Sequence, residues 1–187
     1  MKNKIIIGLL VVVVIMGLWC MSSYNSMVKA NIAVDTQWAQ VETQYQRRFD
    51  LIPNLVATVE GVMKQETKIF TDIANARQGY AGAKTVNEKA VAASNLEGAL
   101  GRLLVITENY PQLRAIEAAT NMQTQLEGTE NRVSVERNRF NETVSQFNTL
   151  VLTFPGNVVA SFFGFEKRPF FSADVTAKVA PKVDLGQ

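Results

Sequence analysis

The sequence predicts an all-α protein, with an N-terminal transmembrane helix followed by an antiparallel, up-and-down helical bundle. Residues 5–21 form an apolar run without a charge, and apolar residues then recur at alternating steps of three and four, which is typical of helices packed lengthwise. Strand signals are weak throughout. We expect an anchor in 1–23, a bundle domain in 24–154, an aromatic-rich end segment in 155–171 and a flexible tail in 172–187.

The composition excludes several kinds of chemistry. The 187 residues include no histidine and a single cysteine, Cys20, which excludes Ser-His-Asp and Cys-His catalysis, His-ligated metals and internal disulfides. Without Lys2 and Lys4, basic and acidic residues are equal in number, a poor match for a nucleic-acid binder. We therefore expect no enzymatic activity, no cofactor, no metal and no nucleic-acid partner.

The apolar run is predicted to be an uncleaved membrane anchor. As a helix it is about 25 Å long, near the short limit for crossing the hydrocarbon core. Two lysines precede it and two aromatic residues mark its far end, so the positive-inside rule places the N-terminus in the cytoplasm and the bundle outside. A cleaved signal peptide is the alternative, but its cleavage site would fit poorly. The anchor residues are represented by Ile5, Leu9, Val13 and Trp19.

The first helical seam extends from Tyr24 to Ile73 and contains Pro53. Because proline removes a backbone donor and clashes with the preceding turn, two arrangements are open. In the favoured one the chain reverses near Pro53, where Asp50 could cap a new helix, and four segments alternate in direction. In the other, one kinked helix continues through Pro53 and the bundle has three helices.

Three further segments complete the predicted bundle. Glycines and alanines predict a loop at about 79–85, and a second helical stretch ends near Glu108 to Pro111. The last long helix is expected from about Pro111 to Leu152, with an apolar seam that extends from Ile116 to Phe154. Six of the ten phenylalanines then fall within 154–171. They would form either a plug that closes one end of the bundle or a surface that contacts lipid or another subunit.

Four charged residues occupy seam positions where apolar residues are expected. A charge in such a position costs several kcal/mol unless it is paired. We expect salt bridges or rim positions, and a polar cavity that binds a small ligand is the alternative. The four residues are Arg48, Glu66, Glu130 and Arg137.

Several motifs resemble those of the LemA family. They are Arg47-Arg48-Phe49-Asp50-Leu51-Ile52-Pro53-Asn54-Leu55-Val56, Glu108-Asn109-Tyr110-Pro111, Phe163-Gly164-Phe165 and Pro169-Phe170-Phe171. The resemblance implies a bacterial single-pass protein of the inner membrane with an antiparallel bundle, and it supplies no catalytic residue. The candidate contact or structural residues are Arg47, Arg48, Asp50, Pro53, Asn54, Glu108, Tyr110, Pro111, Arg137, Phe163, Phe165, Phe170 and Phe171.

Two functions are compatible with this pattern. The first is a membrane-anchored interaction or scaffold protein that self-assembles or binds another membrane protein. The alternative is an extracytoplasmic sensor that binds a ligand between its helices and signals through a partner protein, because only four residues precede the apolar run. In both, the partners are the lipid bilayer and a second protein chain.

Overall fold

The computed structural model describes residues 2–60, 63, 66–107, 109–110 and 117–172. These residues form five helices and no strand, which confirms the predicted all-α class. Glu108, Pro111 and residues 173–187 of the predicted tail lie outside the described residues. The helices are α1 (Lys2–Glu60), α2 (Thr67–Gly82), α3 (Val86–Thr107), α4 (Glu117–Leu152) and α5 (Gly156–Phe163).

The chain divides into two compact units. The first contains Met1–Gln40 and Asn138–Phe170, and the second contains Val41–Arg137 and Phe171–Gln187. The long helices α1 and α4 therefore each contribute to both units, whereas α2 and α3 belong to the second and α5 to the first.

In the second unit, aromatic contacts and ion pairs define the direction of each helix. The Tyr80 ring of α2 lies 5.1 Å from the Tyr45 ring of α1 and 4.7 Å from Phe49. Further along, Glu60 of α1 and Phe70 of α2 line the same groove, so these two helices are antiparallel.

The remaining directions follow from pairs between α1 and the later helices. Residues 42 and 45 of α1 pair with residues 89 and 97 of α3, so α1 and α3 are parallel. Residues 45 and 48 pair with residues 137 and 130 of α4, so α1 and α4 are antiparallel. The described part of the second unit is therefore a four-segment, up-down-up-down bundle, as predicted.

The expected reversal near Pro53 is wrong. Helix α1 continues through Pro53 and ends at Glu60, so the chain reverses between Glu60 and Thr67. The proline ring is exposed and removes one hydrogen bond, whereas the seam around it is almost completely buried, and this burial outweighs the cost of the proline. The buried neighbours are Ile52, Leu55 and Val59. Asp50 is an exposed residue inside α1 that accepts a hydrogen bond from Gln46, and it caps no helix.

The core consists largely of the predicted seam residues. In α1 and α2 these include Met27, Val34, Val41, Tyr45, Ile52, Leu55, Val59, Ile69 and Ile73; in α4 they include Leu126, Val133, Phe140, Val144, Phe147 and Val151. Phe154, predicted as the last seam residue of α4, lies beyond the end of that helix and is 81% exposed.

The turn before α3 is shorter than the sequence predicts. Helix α2 extends to Gly82, and only residues 83–85 connect it to α3. Glu88 accepts hydrogen bonds from the backbone N–H groups of Lys84 (2.8 Å) and Thr85 (3.1 Å), and Thr85 Oγ1 accepts one from the Glu88 N–H. This reciprocal arrangement is a capping box that defines the start of α3.

The first unit contains the N-terminal part of α1, the C-terminal part of α4, helix α5 and the segment that follows it. Trp38 packs edge-on against Phe140 with ring centroids 5.2 Å apart, and Tyr24 packs on Phe163 at 4.7 Å. The later residue of α1, Trp38, pairs with the earlier partner, and the earlier residue, Tyr24, pairs with the later one. The chain from α4 to α5 therefore runs antiparallel to α1.

Two glycines determine the path around α5. A Cβ on Gly156 would collide with the Leu150 carbonyl oxygen, so only glycine permits this close approach at the start of α5. Gly164 ends the helix with φ of 74°, in the left-handed region that favours glycine. Both glycines therefore have a backbone role, Gly156 at the start of α5 and Gly164 within the motif Phe163-Gly164-Phe165.

Candidate functional site

The most polar part of the bundle interior is a cluster in the second unit, which we call the seam cluster. Helix α1 supplies two members three residues apart, α4 supplies two members one heptad apart, and α3 supplies the fifth. These spacings place each pair on one face of its helix. The seam cluster consists of Tyr45, Arg48, Glu97, Glu130 and Arg137.

Hydrogen bonds and ion pairs connect all five members. Arg48 forms an ion pair with Glu130 and lies 3.8 Å from Glu97 Oε1. Arg137 donates through Nε to the Tyr45 hydroxyl at 2.8 Å and forms an ion pair with Glu97. The Tyr45 hydroxyl donates to Glu97 Oε1 at 3.4 Å. Glu97 therefore stands between two guanidinium groups and links α1 to α4.

Burial within the seam cluster is uneven. The side chains of Arg48 and Arg137 are 6% and 16% exposed, whereas those of Glu97 and Glu130 are 23% and 45% exposed. Arg48 Nε is buried and has no hydrogen-bond partner among the described residues. The two cations thus lie deep, and the two carboxylates connect them to the surface.

The surroundings alter the ionisation of three members. Burial raises the pKa of the Glu97 carboxyl, although the guanidinium of Arg137 opposes this shift. Burial also raises the pKa of the Tyr45 phenol, so this hydroxyl stays neutral at physiological pH. Burial lowers the pKa of the Arg137 guanidinium. Its interactions with Tyr45 and Glu97 together outweigh this effect of burial, so the pKa is raised overall. Burial thus favours the protonated form of Glu97 more than water does.

The seam cluster shows which of the two expected outcomes, a salt bridge or a position at the rim, each seam charge takes. Arg48, Glu130 and Arg137 pair as expected, but Glu66 is elsewhere and accepts a hydrogen bond from Tyr110 at 3.4 Å. Tyr45 was predicted only as a seam residue, and Glu97 was not identified. Glu97 follows the buried Leu96 on α3, and this flanking position is the signal that could have revealed it.

A second feature of the same unit is an open groove between α1 and α2, with a volume of about 600 Å³. Its floor is mostly apolar, and its rim carries Glu60 and Arg77, which are both exposed. We call it the α1–α2 groove. It is lined by Ile52, Pro53, Val56, Ala57, Glu60, Phe70, Ile73, Ala74, Arg77, Gln78 and Ala81.

The motif around Pro53 therefore has two faces. Arg48 points into the seam cluster, while Pro53 lines the α1–α2 groove. Arg47 and Asn54 are exposed, and the Asn54 carbonyl accepts a hydrogen bond from Thr58 Oγ1 at 2.7 Å.

The aromatic end segment divides between packing and exposure. Phe165 packs on Tyr24 at 5.8 Å and on Phe147 at 6.4 Å, both within the first unit. In the second unit, the Phe171 ring is buried beneath the guanidinium of Arg137 at 4.6 Å. Phe163 and Phe170, by contrast, are about half exposed. Phe165 and Phe171 are therefore packed, whereas Phe163 and Phe170 are partly exposed, and the contact of this segment with lipid or another subunit stays a prediction.

A polar clamp that the sequence analysis missed holds the segment after α5. Asn148 of α4 donates through Nδ2 to the Arg168 carbonyl at 2.9 Å, and its Oδ1 accepts from the Arg168 N–H at 2.7 Å. The Arg168 side chain pairs with Asp35 and donates to Asn31 at 3.1 Å. One residue thereby ties the segment to both α1 and α4.

The described residues contain open grooves but no cluster of metal-ligating side chains. No group of three or more cysteine, aspartate or glutamate side chains within them could hold a metal ion. Two further open grooves lie along α2 and α3. No seam-cluster residue lines any of the three described grooves.

The N-terminal part of α1 has a different character from the rest of the chain. Among the described residues, one helix is long and apolar enough to cross a membrane, and it is α1. The structure thus defines a class of protein: a bundle of antiparallel helices whose first helix begins with an apolar segment of membrane-spanning length.

Comparison with known proteins identifies the family within this class. The model of the LemA family matches residues 37–185, so this chain belongs to the LemA family, as its motifs predicted. Two magnetosome proteins of Paramagnetospirillum magneticum, MamQ 1 and MamQ 2, are each 26% identical over 175 residues, which cover 79% of this chain and 64% of theirs. Magnetosome protein MamQ of Magnetospirillum gryphiswaldense is 24% identical over 174 residues, with the same coverage. The chain spans 64% of the length of these curated relatives.

Proposed function

We propose that this chain is a single-pass, membrane-anchored scaffold protein that self-assembles through the α1–α2 groove and has no catalytic activity. The apolar start of α1 lies in the bacterial cytoplasmic membrane, with the N-terminus in the cytoplasm and the bundle outside. The main support for the membrane anchor is that its apolar side chains are exposed. Every large hydrophobic side chain from Ile5 to Leu18 is between 51% and 69% exposed. Transfer of such side chains from water to an apolar medium is worth about 1.5–3 kcal/mol each, so a lipid environment is strongly favoured.

The α1–α2 groove supports the self-assembly. Interfaces between two identical chains use the same patch on both, so the patch must be complementary to itself. Glu60 lies near one end of the groove and Arg77 toward the other, with an apolar floor between them. Two chains anchored in one membrane would be related by a two-fold axis along the membrane normal, so their grooves would lie side by side and cover each other's apolar floor, with Glu60 and Arg77 at the rim. The anchor favours such pairing, because tethering in a membrane raises the effective concentration.

Anchorage is tested by alkaline carbonate extraction of cell membranes. We expect the wild-type chain to stay in the pellet and the double variant Leu10→Lys/Val13→Lys to leave it, because each lysine costs about 2.5–3.5 kcal/mol at the centre of a membrane helix. Val91→Lys/Val105→Lys is the matched control, since these valines of α3 are 53% and 65% exposed. Release of the wild-type chain by carbonate would disprove the anchorage.

Orientation is tested with a single reporter cysteine. In a Cys20→Ser background, a cysteine in place of the exposed Glu127 of α4 should react with a membrane-impermeant maleimide in intact spheroplasts. Reaction only after the membrane is permeabilised would place the bundle in the cytoplasm.

Self-assembly is tested by disulfide crosslinking in the same background and by placing a charge in the groove. Ala57→Cys, in the groove, should give an oxidised dimer in native membranes, whereas Gln125→Cys, exposed on α4, should not. Ala74→Lys, which places a charge on the apolar floor of the groove, should reduce the Ala57→Cys dimer, whereas Thr124→Lys, exposed on α4, should leave it unchanged. Equal crosslinking at both cysteines, or an unchanged dimer in the Ala74→Lys variant, would contradict the proposed interface.

A further inference from the structure

Helix α5 and the turn before it carry an exposed apolar face, which we call the α5 face and define as Phe154, Val158 and Phe162. These side chains are 81%, 61% and 83% exposed. Within α5 the spacing of four residues aligns Val158 and Phe162 on one side, and Phe154 lies in the turn just before the helix. The opposite side of α5, with Val159 and Ala160, is buried in the first unit. Helix α5 contains no charged residue. This helix therefore presents an apolar surface that nothing in the described part of the first unit covers.

Contacts with α1 place α5 beside the end of the apolar run. Phe163, the last residue of α5, packs on Tyr24, and Gly156, the first residue, lies beside the Met27 side chain. Met21 is the last residue of the run, so at 1.5 Å per residue Tyr24 and Met27 lie about 4.5 and 9 Å further along α1. The headgroup layer on each side of a bilayer is about 5–8 Å thick. If the run spans the hydrocarbon core, α5 lies at the level of the headgroups.

Helix α5 is also held firmly in this position. Gly164 ends the helix and turns the chain back, and Phe165 then packs on both Tyr24 and Phe147. The clamp between Asn148 and Arg168 secures the segment beyond it. Because both ends of α5 are attached, the α5 face needs no rearrangement to meet a surface beside it.

We propose that the α5 face inserts into the boundary between headgroups and acyl chains of the bilayer that holds α1. Interfacial helices are typically buried 5–10 Å into this boundary, and aromatic side chains are enriched there. The proposal rests on the membrane anchorage proposed above and adds a second lipid contact, which fixes the tilt and rotation of the first unit against the membrane. The level of α5 favours lipid over a second copy of the chain as the partner of this face.

The proposal is tested by the depth of fluorescent labels in the full chain, reconstituted into phosphatidylcholine vesicles. In a Cys20→Ser background, single cysteines at Phe162 (α5 face), Asn157 (exposed on α5 but away from the face) and Val13 (apolar run) carry an environment-sensitive fluorophore. Quenching is measured with spin-labelled lipids and with aqueous iodide. Helical circular dichroism checks that each variant is folded, and Phe162 is exposed enough for its replacement to be tolerated.

We expect the Phe162 label to be quenched by spin-labelled lipid several times more strongly than the Asn157 label, and the order to reverse with iodide. Equal quenching of these two labels, with Val13 still quenched by lipid, would overturn the proposal but leave the anchorage intact. Absence of lipid quenching at Val13 would instead refute the anchorage and the proposal with it. Protection of Phe162 from iodide without lipid quenching, lost on dilution with excess lipid, would identify a second copy as the partner and also overturn it.

Discussion

Replacement of Arg48 by alanine tests whether the seam cluster stabilises the bundle. Breaking a buried ion pair usually costs about 3–5 kcal/mol, because the remaining charge is left without compensation. Here Glu97 keeps its pairing with Arg137, and the Glu130 side chain is 45% exposed and can be hydrated. Only part of the full penalty therefore applies, and the buried stem of Arg48 adds lost packing. We expect Arg48→Ala to reduce the free energy of unfolding by about 3 kcal/mol.

The measurement is thermal unfolding of the full chain in mild detergent, followed by the helical circular dichroism signal. A loss of 3 kcal/mol corresponds to a fall in Tm of about 6–12 °C for a chain of this size. Arg47→Ala is the matched control, since Arg47 is exposed and such surface changes usually alter stability by less than about 0.5 kcal/mol. Arg48→Met keeps most of the packing and should lose less than Arg48→Ala. If Arg48→Ala lowers Tm no more than Arg47→Ala does, the seam cluster is not a stabilising network.

Three further predictions concern other parts of the second unit. Because burial raises the pKa of Glu97, the folded state binds the carboxyl proton more tightly than the unfolded state. The free energy of unfolding should therefore fall as pH rises from the ordinary carboxyl pKa of 4.5 through the raised value. Glu97→Gln, compared by denaturation from pH 4 to 8, should reduce this dependence on pH. A slope that is unchanged in Glu97→Gln would assign it to another group. Thr85→Ala should cost about 1 kcal/mol by removing the N-terminal cap of α3, whereas Thr124→Ala, at an exposed position within α4, should cost less. Equal losses would show that the capping box contributes nothing. Pro53→Ala should raise Tm, because it restores a helical N–H at an exposed position and alanine is up to about 3 kcal/mol more favourable than proline in a helix interior. A lower Tm would show that the proline ring is needed in the α1–α2 groove.

The Pro53 region shows why sequence reasoning placed the first reversal incorrectly. The seam keeps its phase across the proline, a pattern shared by a continuous helix and by two helices joined by a tight turn. Whether a proline ends a helix depends on how much apolar surface its neighbours bury, and Ile52, Leu55 and Val59 bury almost all of theirs in the second unit. The alternation of four segments was nevertheless predictable, because helix lengths restrict how a chain can return along itself.

The candidate site, too, was only partly predictable from the sequence. A charge in an apolar seam is visible in the sequence, and so Arg48, Glu66, Glu130 and Arg137 were expected to form salt bridges or to lie at the rim. Their partners Tyr45 and Glu97 were not, because a tyrosine fits an apolar seam and a glutamate at the edge of a helical stripe resembles a solvated residue. Only the approach of α3 to α1 and α4 distinguishes these two residues from others of their type.

The sequence by itself determined the all-helical class, the apolar start of α1, the core seams and the family, since each depends on periodicity, composition or motifs within one segment. The tertiary structure decided which seam charges meet, that Glu66 lies outside the cluster, and that Phe154 and Phe162 are exposed while Phe171 is buried. These outcomes depend on contacts between residues far apart in the chain. A local pattern records that a side chain is apolar or charged, but burial and pairing are properties of the neighbours that the fold brings to it.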